Sequence, residues 1–469
     1  MAILAFDLGS SSVRATVLDE QLHPLPGAVS RRRVALRQDA TGAAELDADR
    51  YVEAVCECLD DLSAAGHLAG VHTAAASSQW HSLVPLDEHD RPAGPGLSWM
   101  DLRAQAVRVG PHDDEAFHRR TGTWWHPFYW PVKIGWLVGR GVRARRWIGL
   151  PEYLTLRLLG ELGVSVSSAS GTGVLDTRTC RWDAEALDLA GVTEDMLPPL
   201  VPDDWRGRLT PQFARRWPDL AQTRWAAPIG DGAASAVGSG CWGPDRLSVT
   251  VGTSAAVRLV TPGAPDPAPS IWRYRVDSQR SVLGAAFSAG GALYEWVSRL
   301  VGDQEASEAA LSRLRPGEHG VVCLPYHAGH RPPLPLTDVG TLHGLKLSTG
   351  PTEVVAATLE GVCHEISGAA RSLAPSAQVT PVLGGGAVAA SAWFTRRLTA
   401  ALGGTALRCL DAEVGARGAA ALATGIDSPP RLEEVTVPER EVAAMATAAQ
   451  RHWAVRDRII SLQGERSWD

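Results

Sequence analysis

The stretch FDLGSSSVRATV at 6–17 and its echo VTVGTSAAVRLV at 249–260 decide how the chain reads. In each, a short apolar run meets a glycine and small hydroxyl residues, then resumes as a second apolar run. That is the pattern of a strand, a tight turn and a second strand. Gly9 matches Gly252 and Ser10 matches Thr253, so one structural unit is expected twice, once in each half. Only the first copy has a carboxylate two residues before its glycine: Asp7 stands where the second copy has Thr250. A turn of this composition can aim several backbone N–H groups at one point and hold an anion there. Either copy alone also reads as an ordinary hairpin turn; the repetition favours phosphate binding.

Outward from the first hairpin, Tyr51, Val55, Leu59 and Leu62 fall at helical spacing, and 71–76 returns to strand character. A composition shift near 238–245 sets the expected boundary, giving an N-terminal domain 1–242 and a C-terminal domain 243–469. Beyond it the grammar repeats: a strand at 247–251, the second turn, then long helices at 351–370 and 391–402 and an amphipathic tail at 441–462.

The 469 residues are too many for one compact core, which agrees with two domains. A formal charge of -7 leaves no basic surplus for neutralising phosphates along a nucleic acid, so no nucleic-acid partner is expected. Only Lys133 and Lys346 are lysines among 45 basic residues, which makes each retained lysine notable. Seven scattered cysteines without a C-x-x-C pair suit reduced thiols. No secretion signal and no apolar run near 20 residues is found, so a cytoplasmic protein without membrane association is expected.

Several chemistries drop out. Neither lysine follows a glycine, so there is no Walker P-loop, and protein-kinase signatures and a G-x-S-x-G elbow are absent. GSGCWG at 238–243 fits a dinucleotide fingerprint only as a string, since it leads into Pro244 and a strand rather than a helix. Two further motifs remain. PIGDGAASAVGSG at 228–240 sets Asp231 between glycines at the start of a small-residue helix, either as a helix cap or where backbone approaches a ligand. VLGGGAVAASAWF at 382–394 suits a flat group lying on backbone, or a plain strand-to-helix turn.

Taken in order, DLGSSSVR at 7–14, WMDLR at 99–103, GDGAASAVGSG at 230–240, GTSA at 252–255, LPYHAGHRPP at 324–333, GGGA at 384–387 and ARGAAALA at 416–423 resemble the FGGY family of carbohydrate kinases over essentially the whole chain. Segments 77–104, 120–137 and 168–187 look most like the gluconokinases of that family, with Trp80 where methionine is usual. Gly329-His330-Arg331 departs from the usual Gly-Glu-Arg.

The resemblance implies an α/β fold of duplicated actin/hexokinase-like (ribonuclease H-like) lobes. Each lobe would have a five-stranded mixed sheet, with a cleft between lobes that closes to exclude water. It implies ATP and Mg2+ as cofactors and a sugar or sugar acid as substrate, most closely gluconate. Asp231 would be the general base, and Asp7 would hold Mg2+ through water. Gln79, Trp80, His81, His126 and Lys133 would meet the substrate together with Asp231. Lys133 has two readings, a contact to the substrate carboxylate or a structural ion pair. Ser10, Ser11, Ser12, Arg14, Gly252, Thr253, Gly291, Glu295, Gly385, Gly386 and Ala387 would meet the nucleotide. The alternatives are a xylulokinase or other pentulose or polyol kinase, and a non-catalytic actin-like ATP-binding sensor. A homodimer is a candidate assembly.

Overall fold

In the computed structural model, which describes residues 2–106, 110–302, 307–327, 331, 340–375 and 378–464, the first hairpin forms as read. β1 (Ala2–Leu8) and β2 (Ser12–Leu18) pair antiparallel, with Asp7 opposite Arg14 and Leu8 opposite Val13. Asp7 therefore lies within the strand, one residue before its end, rather than in the loop. β3 (Pro24–Arg33) extends the sheet beyond β2. Asp47 caps α1 (Ala48–Ala64) by accepting from the Arg50 N–H, and the helix buries Tyr51, Val55, Leu59 and Leu62 as its spacing predicts. β4 (Val71–Ser78) then returns parallel to β1, with Asp7 opposite Ser77. This sheet has seven strands rather than five, because the short strands Arg206–Gly207, Arg224–Ala226 and Ile229–Gly230 join it on the β4 side.

The chain divides into two compact units. Unit 1 holds 1–242, 260–283 and 413–429; unit 2 holds 243–259, 284–412 and 430–469. A single cut at 242/243 is thus too simple, since two segments from the C-terminal half belong to unit 1. One reason is small-residue packing. The helix Val414–Thr424 lies on α2 (Asp231–Gly238) so closely that a Cβ on Gly238 would stand 1.8 Å from the Val414 oxygen, and one on Gly418 would stand 1.8 Å from the Ala234 oxygen. Gly238 of the first motif and Gly418 of the second exist for each other. The segment 260–283 is tied in by Arg273, whose buried guanidinium donates to the Arg119 carbonyl and to Thr177.

Within unit 2, Arg246–Val251 pairs antiparallel with 255–259 and parallel with Thr380–Gly384; Thr405–Cys409 and Leu432–Thr436 continue the sheet. Its core gathers Val249, Val251, Leu359, Val362, Leu383 and Phe394. The helices Pro351–Leu373, Ala392–Ala401 and Glu439–Gly464 match the three expected in this half. The duplication is visible in topology: each hairpin's first strand lies between its antiparallel partner and a parallel strand, so Thr250 faces Gly384 as Asp7 faces Ser77. The turns differ by one residue, because 9–12 separate Leu8 from Val13 while 252–254 separate Val251 from Ala255. Among the described residues no helix is long and apolar enough to cross a membrane. All seven cysteines are free thiols.

Candidate active site

In unit 1 the carboxylate of Asp7 is braced from the neighbouring strand: Ser77 Oγ donates to Asp7 Oδ1 at 2.8 Å. Gly415 packs closely against it, since a Cβ there would lie 3.1 Å from Ser77 Oγ and 3.3 Å from Asp7 Oδ1. A half-buried carboxylate whose orientation is fixed by a hydroxyl has the hard oxygen donors that a cation held through water requires. Tyr51 reaches the turn from α1, its hydroxyl 3.1 and 3.2 Å from the carbonyl oxygens of Gly9 and Ser10. Burial pushes the Tyr51 phenol up to about 12, so it works as a neutral donor. Ser10 and Ser12 are half-buried and Ser11 is exposed. Arg14 differs from the expected phosphate ligand in being already engaged: its guanidinium forms an ion pair with Glu413 at 2.5 Å, and Glu413 is the cap residue of the helix Val414–Thr424.

Asp231 is the first residue of α2, and the cap position belongs to Gly230. The helix-cap reading of Asp231 therefore fails, and its Oδ1 accepts from the Gly232 N–H at 2.8 Å. The approach to Asp231 is fixed by hydroxyls from the short helix Val166–Ser170 and its cap. Ser165 and Ser168 both donate to the Pro228 carbonyl, at 2.5 and 3.1 Å, and Ser167 Oγ accepts from the Gly230 N–H at 3.2 Å. Trp80 fills the space beside Gly230 and Gly171, where added Cβ atoms would fall 1.9 and 2.3 Å from its ring.

His81 follows Trp80 with φ at +68°, a conformation few non-glycine residues adopt. Its Nδ1 donates to the Gly171 carbonyl at 2.5 Å, and its ring packs edge-on against Tyr129 with centroids 5.3 Å apart. His126 is buried and its Nδ1 accepts from the Phe128 N–H at 3.1 Å, so the neutral ring carries its proton on Nε2. Gln79 is buried, with Nε2 3.4 Å from the Tyr51 hydroxyl.

Lys133 corrects an expectation. It is 0% exposed and its Nζ donates to the carbonyl oxygens of His81 and Ser98, at 3.1 and 2.7 Å. Burial lowers it to about 7, against the pull of nearby Asp101. It supports the segment from behind instead of presenting an ammonium to a substrate. Asp101 itself is held by Arg103, which also bonds Glu45 and lies over the Trp136 ring, so WMDLR works as a structural clamp.

In unit 2 a cavity of about 370 Å³ opens beside the second hairpin, within the range of small-molecule sites. Gly291, Glu295, Gly386 and Ala387 are among its walls. Gly252, Thr253 and Gly385 are not, but they fix those walls. The Gly291 N–H donates to the Gly252 carbonyl at 2.6 Å, the Ala292 N–H donates to the Thr253 carbonyl at 3.3 Å, and Gly385 sits at φ +96° with no room for a Cβ beside the Val251 oxygen.

Sequence reasoning missed Tyr51 as a clamp on the turn, Ser167 as a brace on Gly230, and Glu152. The last is buried at the start of the helix Leu150–Leu159 and raised by that burial to about 7. Only Tyr51 left a signal, a phenol on an otherwise apolar helix face. Gly329 and His330 lie outside the described residues.

Residues 2–238 match the FGGY family of carbohydrate kinases, N-terminal domain, and residues 247–425 match its C-terminal domain. The protein is by class a phosphotransferase, a sugar kinase. It belongs to the FGGY family of carbohydrate kinases. It is 29% identical over 396 residues to a gluconokinase of Bacillus licheniformis, covering 78% of this chain and 75% of that protein. It is 32% identical over 443 residues to a xylulose kinase of Streptomyces rubiginosus, covering 90% of this chain and 88% of that one. The crystal structure of gluconate kinase from Lactobacillus acidophilus superposes with a TM-score of 0.90 at 22% identity, covering 99% of each chain, a likeness of fold.

Proposed function

We propose that this kinase transfers the γ-phosphoryl group of ATP to the terminal hydroxyl of gluconate, giving 6-phosphogluconate, with Mg2+ as cofactor. One observation carries the choice of sugar. The three gluconokinase-like segments converge in unit 1, where His81 of the first donates to Gly171 of the third and packs on Tyr129 of the second. Gluconokinases are also among the relatives that span most of the chain.

In this reading Asp231 takes the proton of the attacking hydroxyl as its oxygen approaches the γ-phosphorus in line. A place in the first turn of α2 suits an anionic side chain. Gln79, Trp80, His81 and His126 orient the sugar, and Lys133 holds the His81 backbone. In unit 2 the 370 Å³ cavity takes the nucleoside, with Gly386 and Ala387 against its flat base, and the N–H and hydroxyl of Thr253 are donors for phosphate oxygens; in unit 1 the N–H groups and hydroxyls of Ser10, Ser11 and Ser12 are donors of the same kind. Asp7 would hold Mg2+ through water, and the bound ion would neutralise charge on the transferring group.

The Streptomyces relative favours a second reading, xylulose as acceptor. A panel of sugars and sugar acids, assayed by ADP release, separates the two. Gluconate is expected to give the highest kcat/KM. Faster turnover of xylulose would replace the gluconate assignment, and no ADP release with any acceptor would point to a non-catalytic sensor.

A further inference from the structure

Gly171 and Gly230 are glycines without a backbone reason. Neither has a positive φ: Gly171 sits at -79° and Gly230 at -67°, angles any residue adopts. What excludes a side chain is Trp80. A Cβ on Gly230 would lie 1.9 Å from Trp80 Cε2 and 2.0 Å from Nε1, and one on Gly171 would lie 2.3 Å from Cδ1. The indole is thus packed directly onto both backbones, and it is 7% exposed.

Its orientation is set by one polar bond, Trp80 Nε1 donating to the Ser167 carbonyl at 2.9 Å. The same serine turns its hydroxyl to Gly230, accepting that residue's N–H at 3.2 Å. Trp80, Ser167 and Gly230 therefore close a loop of contacts on the residue immediately before Asp231. Trp272 and Tyr274 back the indole, with ring centroids 6.0 and 4.7 Å away, and leave it little room to tilt. Gly230 also pairs with Ser78 of β4, two residues before Trp80, so strand and indole hold it together.

We infer that Trp80 and Ser167 are positioning residues for the phosphoryl transfer, fixing the station of the Asp231 carboxylate through Gly230. The inference rests on Asp231 acting as the base. A displacement near 1 Å at a reacting group costs about 100-fold in rate, so a small tilt of the indole is enough to matter.

The test uses the full-length enzyme with saturating acceptor and nucleotide. Trp80→Phe, which removes the indole N–H, and Ser167→Ala, which removes the hydroxyl acceptor, should each lower kcat by about 10- to 100-fold. Nucleotide KM should stay within about twofold, and the acid limb of the kcat–pH profile should move in both variants. The two losses should fall short of additive in the double variant, because both act through Gly230. Gly230→Ala should lower kcat as well, and Trp80→Phe added to it should restore part of the loss by making room for the methyl group. Folding is followed by melting temperature throughout. Wild-type kcat and pH profile in the folded Trp80→Phe and Ser167→Ala variants would overturn the inference, as would additive losses with no rescue of Gly230→Ala. Asp231→Asn is run alongside. If it abolishes turnover while the other variants are normal, only the positioning role falls; if it turns over normally, the assignment of the base falls and takes the positioning role with it.

Discussion

Lys133 Nζ donates to the carbonyl oxygen of His81 at 3.1 Å, so the lysine most conspicuous in the sequence acts on a candidate sugar ligand from behind. His81 sits at φ +68°, and a second bond from the same ammonium to the Ser98 carbonyl ties that strained residue to a neighbouring segment. In a chain that has replaced nearly every lysine by arginine, a compact ammonium in a closed, carbonyl-lined site cannot be exchanged for a broad planar guanidinium.

Lys133→Met is therefore expected to strand two buried carbonyls, costing about 1–3 kcal/mol each, and to raise the acceptor KM while the nucleotide KM stays put. Lys133→Arg should not rescue it. Melting curves and acceptor kinetics check both. A defect confined to gluconate, with xylulose handled normally, would instead mean that the ammonium meets the substrate carboxylate.

Two buried groups of unit 1 give the stability a pH signature. Glu152 is raised by burial from 4.5 to about 7, so the folded protein keeps a proton that the unfolded chain has released between those values. Its contribution is full below 4.5 and falls as pH rises to 7. Lys133 is lowered from 10.5 to about 7, so across that interval the unfolded chain holds the extra proton and stability rises with pH. The summed contribution of these two groups has its minimum near pH 7, each limb on the order of a few kcal/mol, while buried His364, lowered from 6.5 to about 3, opposes the acid limb in the total. Denaturant titrations across this range should show Glu152→Gln flattening the acid limb and Lys133→Met the alkaline one. Unchanged limbs in both variants would refute the assignment.

Asp231→Asn keeps the shape of the first turn of α2 and removes the proton acceptor. The expected loss in kcat is about 10²–10⁴-fold, the usual worth of a general base, with nucleotide binding retained. Near-normal turnover in the folded variant would rule out Asp231 as the base.

What was legible in the sequence was local. The hairpins, the glycines around Asp231 and the helix of Tyr51 announce themselves within a dozen residues, because turns and periodic faces are short-range features. The rest depends on packing between distant segments. Nothing near Ser167 tells that its hydroxyl will meet Gly230, and nothing near Arg14 announces Glu413, 399 positions away. The return of 413–429 to unit 1 was hidden in the same way, although small residues at 230–240 and 416–423 were the imprint of two helices that touch. The rarity of lysine singles out Lys133 in the sequence, yet burial decides its role and sequence does not report burial of a charge.

Asp7→Asn retains the acceptor for Ser77 Oγ but removes the negative charge beside the turn. The Mg2+ concentration for half-maximal rate should rise by about tenfold or more, since hard cations depend on ligand charge. Acceptor KM, measured at saturating Mg2+, should change little. An unaltered Mg2+ requirement would dissociate Asp7 from the metal.

In unit 2 the prediction turns on two adjacent glycines. Gly385 has φ +96°, and a Cβ there would lie 2.4 Å from the Val251 oxygen, so Gly385→Ala meets both strain and a backbone clash. Gly386 lines the cavity, and a Cβ there meets nothing within 4 Å. Gly385→Ala should therefore destabilise the free protein by about 1–3 kcal/mol and blunt the rise in melting temperature that ATP brings. Gly386→Ala should leave the free protein as stable as wild type and weaken nucleotide binding only by narrowing the pocket. Melting temperatures with and without ATP separate these outcomes. If the two variants behave alike, the glycine run is not the wall of a nucleotide site, because one substitution distorts the backbone that frames the cavity and the other only adds a methyl group to its wall.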